Sequence, residues 1–406
     1  MAAGLSATPF VLAQETGALA EEETAPIVTD AGLSLATVVD AALARAPGTA
    51  LLAVRNEVAA STERRSGSFI AGAPSVQLRY LSDRPTTRQG VTESEAGIDL
   101  PLWRWGQRAA VAMQARANQS GAVEDARLHR WRVAGMVREA YWDVRDAQAR
   151  LTLAERDVAA FLQLEKDVIR RINAGDAAPG ERLTAEGQRR EREAIQHETE
   201  VMLADRFFGW RELTGYSVLP GLSDERPAPE VAAYLPLDAA KAEEARTEAA
   251  LDALKAEGSG SPRLLLLLRR DTQNGMQDID SVAAQVSLPF GGSSHRQVAL
   301  SPLALDAARA RDTVAQMERE ARLAHHEAEH ELHAREIALH DAAGRYLLAM
   351  DEVALARRAY ALGEVPLSER LLTEIRAADT TRAHQLAVIA YSRAIARYNQ
   401  INGVSP

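Results

Sequence analysis

The chain has 406 residues, 46% hydrophobic and 26% charged, with a formal net charge of −10 and no cysteine. That length supports a sizeable core in one or two ordinary domains, and the acidic balance speaks against a nucleic-acid partner, whose binding needs a basic face. The missing thiols exclude disulfides, thiolate metal sites, Cys nucleophiles and lipidation of a Cys within this sequence.

Residues 1–32 read as a signal-like or flexible N-terminus. The opening MAAGLSATPFVLAQETG has a short apolar stretch closing on Val11-Leu12-Ala13, the form of an export cleavage site. The first basic residue is Arg45. The positively charged start of an export signal is therefore missing, and the stretch reads as a signal whose beginning is cut or misassigned, or as an ordinary flexible terminus. No run of about 18 apolar residues occurs, so no transmembrane helix is written here.

A first unit spans 33–216 and opens with LSLATVVDAALARAPG. Two strand-like segments follow, SVQLRYLSD (75–83) and SEAGIDLPL (94–102), joined by the turn-rich RPTTRQGVTE. Val76, Leu78 and Tyr80 alternate with Gln77 and Arg79, and Ile98, Leu100 and Leu102 also fall two apart. Each segment has about nine residues, the length a tilted strand needs to cross a bilayer. Pro101 suits a strand end or a helix start, because proline cannot extend a hydrogen-bond ladder. Trp103 and Trp105 fall at this junction, either as interfacial anchors or packed between helices.

A helical hairpin is expected over 107–211. Its seam is Val133, Val137, Ala140, Val144, Ala147, Leu151, Ala154, Val158, Phe161, Glu165, Val168 and Ile172, with spacings that alternate four and three. Only Glu165 is polar, so this is a coiled-coil seam. A helix from Gln107 to Asn173 runs about 100 Å at 1.5 Å per residue. Gly175 and Pro179 end it, and Leu183 to Arg211 returns.

A Pro-rich linker, 217–236, leads to a second unit, 237–404, that repeats the first. Leu100-Pro101 recurs as Leu288-Pro289, and Arg108 as Arg296. Gly175-Asp176 with Glu181-Arg182-Leu183 recurs as Gly363-Glu364 with Glu369-Arg370-Leu371. The offset is 188 throughout, which marks an internal duplication. Upstream, LPLDAAKAEEA (235–245) resembles LSLATVVDAAL (33–43) at an offset of 202, so the second copy is 14 residues shorter there. Its strands are expected at 263–271 and 280–290, and its hairpin at 303–399. The five-Leu run of RLLLLLRRD does not alternate, which counts against a half-wet strand. The second seam, from Ala321 to Tyr360, is interrupted by His325 and Arg335. Four strands cannot close a barrel in lipid, where open edges are not tolerated, so several chains would have to pool theirs.

These features together resemble the TolC family of outer-membrane efflux proteins. The LSLATVVDAALARAPG opening, the strand–strand–PLWRWGQR–helix passage, the RINAGDAAPGERL turn with its echo YALGEVPLSERLL, and the duplication carry the resemblance over roughly residues 33 to 403. It implies a mainly α fold with four β-strands, built from two tandem strand-strand-long helix-helix repeats. Three such chains would form a 12-stranded β-barrel in the outer membrane above a periplasmic α-barrel. The implied role is that of an exit duct for small molecules, metal ions or exported proteins, docked onto a periplasmic adaptor and an inner-membrane pump, the RND type foremost, with no cofactor. Carried over, Ala174, Gly175, Asp176, Leu362, Gly363 and Glu364 are adaptor-docking candidates. Asp176, Glu181, Glu364 and Glu369 are candidates for charges at the periplasmic mouth, or simply solvated. Pro101, Trp103, Trp105 and Pro289 mark the barrel–tunnel junction. The shortened second copy and the all-Leu strand depart from the family pattern.

His326-Glu327-Ala328-Glu329-His330 fits HExxH, a zinc-protease pattern. The matched positions, Arg138-Glu139-Ala140-Tyr141-Trp142, lie in a coiled-coil rod, and a rod lacks the cleft a protease needs. No catalytic residue is therefore expected. His326, His330, His333 and His340 remain weak metal candidates, against the plainer reading of a solvated stripe. No phosphate loop, nucleophile elbow or nucleotide fingerprint occurs. The rival to a channel is a soluble periplasmic coiled-coil scaffold without a pore, which has no use for the paired nine-residue segments.

Overall fold

The computed structural model describes residues 27–86, 88–221, 225–228 and 233–406. The signal-like stretch before residue 27 lies outside the described residues. In chain order the elements are β1 (Thr29–Asp30), α1 (Leu35–Arg45), α2 (Thr49–Gly67), β2 (Ser75–Ser82), β3 (Val91–Pro101), α3 (Gln107–Ala174) and α4 (Pro179–Thr214). Then come β4 (Leu219–Pro220), α5 (Leu235–Glu257), β5 (Arg263–Gln273), β6 (Ile279–Ser287), α6 (Ser293–Ala361) and α7 (Leu367–Ile401). The strand–strand–long helix–helix order occurs twice. The chain divides into two compact units. One takes Met1–Ala46, Arg130–Ala233 and Leu323–Pro406; the other takes Pro47–His129 and Tyr234–Arg322.

The second of these units holds a four-stranded antiparallel sheet in the order β2-β3-β5-β6. The register runs from Ser75↔Asp99 in β2–β3, Pro101↔Arg263 in β3–β5 and Arg263↔Ser287 in β5–β6. The β3–β5 ladder joins the two repeats. Because side chains alternate, one register sorts the whole sheet into two faces. Val76, Leu78 and Tyr80 align with Ile98 and Ala96, then with Leu264, Leu266 and Leu268, then with Val286, Ala284 and Val282. The opposite face carries Gln77, Arg79, Glu95, Asp99, Arg263 and Arg269. There Arg263 pairs with Asp99 at 2.7 Å and Arg269 with Glu93 at 3.1 Å.

The five-Leu run resolves at this point. β5 is a central strand, and Leu264, Leu266 and Leu268 continue the apolar face. Leu265 and Leu267 fall on the polar face beside Gly97. A Cβ on Gly97 would come 2.8 Å from the Leu266 carbonyl oxygen and 3.1 Å from Leu267 Cβ. The period of two is present in β5 and is hidden because both faces carry Leu.

The helices of this unit pack through small residues, among them Ala59, Ala115, Ala122, Ala253, Ala307 and Ala310, all buried. Asp125 is shared between Arg246, at 2.7 Å, and Arg55. The second long helix starts at Ser293, ten residues before the expected 303, and carries Pro302 inside it. Proline reads as a helix start because it has no N–H to lose there. In the interior it forfeits one i→i−4 bond and strains the turn. The helix nevertheless continues through it.

In the other unit, α1 packs Leu35, Val38, Val39 and Ala42 against Val133, Val137, Tyr141, Trp142, Val144 and Trp210. Ser34 caps α1, its hydroxyl accepting from Thr37 N at 3.1 Å. Of the first seam, Val133, Val137, Val144, Ala147, Ala154, Phe161 and Val168 are buried. Its polar exception, Glu165, accepts from Arg189 Nε of α4 at 2.7 Å. Part of the expected linker is tied down. Glu225 receives Arg138 Nη2 at 3.0 Å and Asn399 Nδ2 at 3.0 Å, and Arg138 is only 3% exposed. The linker is also shorter than 217–236 suggests, since β4 lies within it and α5 begins at Leu235.

Candidate functional site

The two hairpin turns are built alike. Gly175 and Gly363 take φ +85° and +77°. At the first turn, Gly175 N donates to Ile172 O at 3.0 Å and Asp176 N to Arg171 O at 2.9 Å. At the second, Gly363 N donates to Tyr360 O at 3.1 Å and Glu364 N to Ala359 O at 2.9 Å. These are paired Schellman bonds, and the left-handed residue they require explains both glycines. No neighbouring atom lies within 4 Å of a Cβ placed on either glycine, so backbone conformation and not crowding sets the residue. The position after the glycine usually carries an apolar residue that folds back on the helix. Here it is Asp176 or Glu364, both exposed. Glu181 and Glu369 stand in the first turns of α4 and α7, where a carboxylate complements the helix dipole. None of these four carboxylates forms an ion pair among the described residues. Ala174 and Leu362, beside the glycines, are exposed, Leu362 by 66%.

Just inside the turns the two hairpins share a core of Phe161, Leu164, Val168, Ala185, Tyr360, Leu367 and Leu371. Two guanidinium groups approach the Tyr360 ring, Arg171 at 4.2 Å and Arg370 at 4.9 Å from its centre. Arg171 Nη1 also donates to Tyr360 O at 2.9 Å. Glu374 accepts Arg357 at 2.6 Å, and Arg370 reaches Asp167 at 3.8 Å. The two seams include Phe161, Val168 and Tyr360, but do not show their joining with the arginines across the two hairpins. Its signal was the ERL that follows each turn, which served only to mark the repeat. Further along, Arg382 Nη2 donates to Asp157 at 2.6 Å. Burial raises the Asp157 pKa, with Arg382 and Arg192 opposing the shift.

At the strand–helix junctions, Pro101 closes β3 and accepts from Ala71 N at 2.9 Å. Pro289 falls two residues beyond the end of β6. Each proline packs on a glycine: a Cβ on Gly72 would lie 3.4 Å from Pro101 Cγ, and one on Gly260 would lie 3.4 Å from Pro289 Cγ. The two glycines obey the same 188 offset as the prolines, so the duplication extends into the packing. Trp103 and Trp105 part company. Trp103 donates Nε1–H to Ser68 O at 3.0 Å and is half-buried, whereas Trp105 is 100% exposed, as Phe290 is by 94% and Phe69 by 90%. Arg108 donates to the carbonyls of Ser66, at 2.9 Å, and Gly67, closing the end of α2.

Of the four candidate histidines, the structure brings together only His326 and His330, whose ring centres are 4.3 Å apart. His333 is turned towards Glu336 at 3.8 Å. No group of three His, Cys, Asp or Glu side chains converges to hold a metal among the described residues.

No family model and no curated protein matches the sequence. Solved structures do match. VceC, an outer-membrane protein of Vibrio cholerae, superposes with a TM-score of 0.73 at 14% identity, over 92% of this chain and 97% of its own. The fold is that of the TolC-type outer-membrane channels. The CmeC outer-membrane channel of Campylobacter jejuni gives a TM-score of 0.71 at 14% identity, over 99% of this chain and 94% of its own. A membrane protein of Pseudomonas aeruginosa gives 0.72 at 17% identity, over 93% and 92%. The matches thus cover 92–97% of these neighbours' own length, and the chain has two repeats that each contribute two strands and one helical hairpin.

Proposed function

We propose that the chain is one protomer of a passive outer-membrane channel, the exit duct of a tripartite efflux system. The observation that carries this reading is the apolar face of the sheet. Val76, Leu78, Tyr80, Leu268 and Val282 are 64–79% exposed on it, in a sheet whose edge strands are β2 and β6. In water such a face with two open edges invites aggregation. In lipid the face is satisfied, but the edges must be paired, so the sheet has to close. Four strands are too few, whereas three chains supply twelve, within the range of membrane barrels. The exposed Trp105, Phe290 and Phe69 at the strand ends suit the aromatic girdle of such a barrel.

On this reading the helical hairpins stand in the periplasm. The turns at Ala174-Gly175-Asp176 and Leu362-Gly363-Glu364 face a periplasmic adaptor, and an inner-membrane pump of the RND type supplies the energy. Asp176, Glu181, Glu364 and Glu369 lend the mouth a negative charge that favours cations. The cargo is small molecules or metal ions, and the chain itself is not an enzyme.

The test is the mass and location of the native particle. Cell envelopes are fractionated, the protein is extracted in detergent, and its mass is measured by light scattering. An outer-membrane trimer is expected. A soluble monomer or dimer would refute the channel and favour a periplasmic coiled-coil scaffold.

A further inference from the structure

We propose that His326 and His330 form a two-imidazole site for a first-row divalent transition-metal ion, Cu²⁺ ahead of Zn²⁺. The two residues are one helical turn apart on α6, at i and i+4, and so share a face. Ala328, midway between them in sequence, is 4% exposed and marks the packed side of the helix. The pair projects from the opposite side, where both histidines are exposed. Their ring centres are 4.3 Å apart and the ring planes are tilted by 52°. Two imidazoles on one metal at 2.0–2.1 Å, roughly at right angles to tetrahedral, place their ring centres roughly 4.5–5 Å apart. The present ring-centre separation falls a few tenths of an ångström short of that range. Neither ring forms a hydrogen bond or ion pair with a described residue, so no competing partner has to be displaced.

Packing does not account for the pair. The matched positions of the first repeat are Arg138 and Trp142, both 3% exposed. There the same helix face is covered and carries a buried ion pair and an indole. In α6 that face is open, and it bears imidazoles in place of the long solvated side chains usual on an exposed helix. Two nitrogen ligands with the remaining positions left to water suit Cu²⁺ best and Zn²⁺ or Ni²⁺ less well, following the usual order of divalent affinities. His333 and His340 do not belong to the site: His333 is directed to Glu336, and His340 stands ten residues beyond His330 on the same helix, roughly 15 Å along its axis.

The test is a Cu²⁺ titration of the full chain in detergent, followed by electron paramagnetic resonance, in which coordinated imidazole nitrogens are counted. One tight equivalent per chain with two imidazoles is expected. His326→Ala and His330→Ala should each lower its affinity by at least about tenfold and remove one imidazole from the spectrum. His333→Ala and His340→Ala should leave both readouts unchanged, and circular dichroism checks that every variant is folded. A two-imidazole signal that persists in the His326→Ala/His330→Ala double variant, or its absence from the parent protein, would overturn the assignment.

Discussion

Replacing Leu78 by Arg separates a strand that lies in lipid from one that lies in water. Leu78 is 79% exposed near the middle of β2, opposite Ala96, on the apolar face. In water this side chain has almost nothing to lose, and an exposed substitution of this kind changes stability by no more than about 0.5 kcal/mol. In a bilayer a guanidinium at mid-depth on the lipid face costs about 2–4 kcal/mol. That is roughly a 30- to 900-fold change in the folding equilibrium of each chain. If three chains insert as one body the cost is threefold, about 6–12 kcal/mol, comparable with the whole stability of a domain. Gln77→Arg is the matched control. It sits one residue away at nearly the same depth but on the polar face, where Gln77 Nε2 already donates to Asp99 at 3.3 Å. The assay is urea titration of protein folded into lipid vesicles, alongside the yield in the outer-membrane fraction. Leu78→Arg should lose stability and yield while Gln77→Arg keeps both. Equal behaviour of the two variants and the parent would refute a lipid-facing sheet.

Gly363→Val should cost about 1–2 kcal/mol at the turn, because a left-handed residue is replaced by a branched one. It should weaken cross-linking to the adaptor and leave outer-membrane yield unchanged; undiminished cross-linking would remove the turn from the docking surface. The Tyr360 hydroxyl is buried without a partner among the described residues, so Tyr360→Phe should be neutral or stabilising by up to about 1 kcal/mol in thermal melts. Tyr360→Ala, which empties the shared tip core, should cost about 3 kcal/mol or more. A carboxylate whose folded pKa lies above its unfolded one is at a disadvantage when ionised, so its deficit is present above the folded pKa and absent below the unfolded one. Burial raises Asp157 in this way. Asp157→Asn should therefore raise Tm at neutral pH and bring no gain below about pH 4. A lower Tm at neutral pH would mean that pairing with Arg382 outweighs burial.

Features that follow from local geometry were readable in the sequence. Alternation marks β2, the four–three spacing marks the α3 seam, and a Gly followed shortly by a Pro marks each hairpin turn. Features that depend on a distant partner were not. Glu165 looked like a flaw in the seam until Arg189 supplied its partner from the returning helix. The Leu run of β5 looked unlike a half-wet strand because the space for Leu265 and Leu267 is made by Gly97 on another strand. The second hairpin is expected from 303, whereas its helix begins at Ser293 and runs through Pro302, which nothing nearby in the sequence foretells. The cation–π cluster at Tyr360 needs Arg171 from the other repeat, 189 residues away in the chain. The clasp of Glu225 by Arg138 and Asn399 joins three segments with no common motif.

Divergence between the repeats separates what the fold demands from what it merely permits. Among the positions kept in both copies are several where the backbone leaves little choice. They are the left-handed glycine of each turn, the proline at each strand end, and the small residues Gly72 and Gly260 on which those prolines rest. The inward alanine is kept as well, Ala140 matching Ala328. Around that alanine Glu139 is kept as Glu327, and the other three positions have been rewritten. Tyr141 and Trp142 are buried against Trp210 in the first copy, where α1 and the linker cover the helix. In the second copy the matched Glu329 and His330 are exposed. The zinc-protease pattern at 326–330 therefore arises where a retained Glu-Ala meets two histidines on an uncovered face. That accounts for the motif without a hydrolytic cleft, and it leaves the imidazole pair as the part of the motif with chemistry of its own.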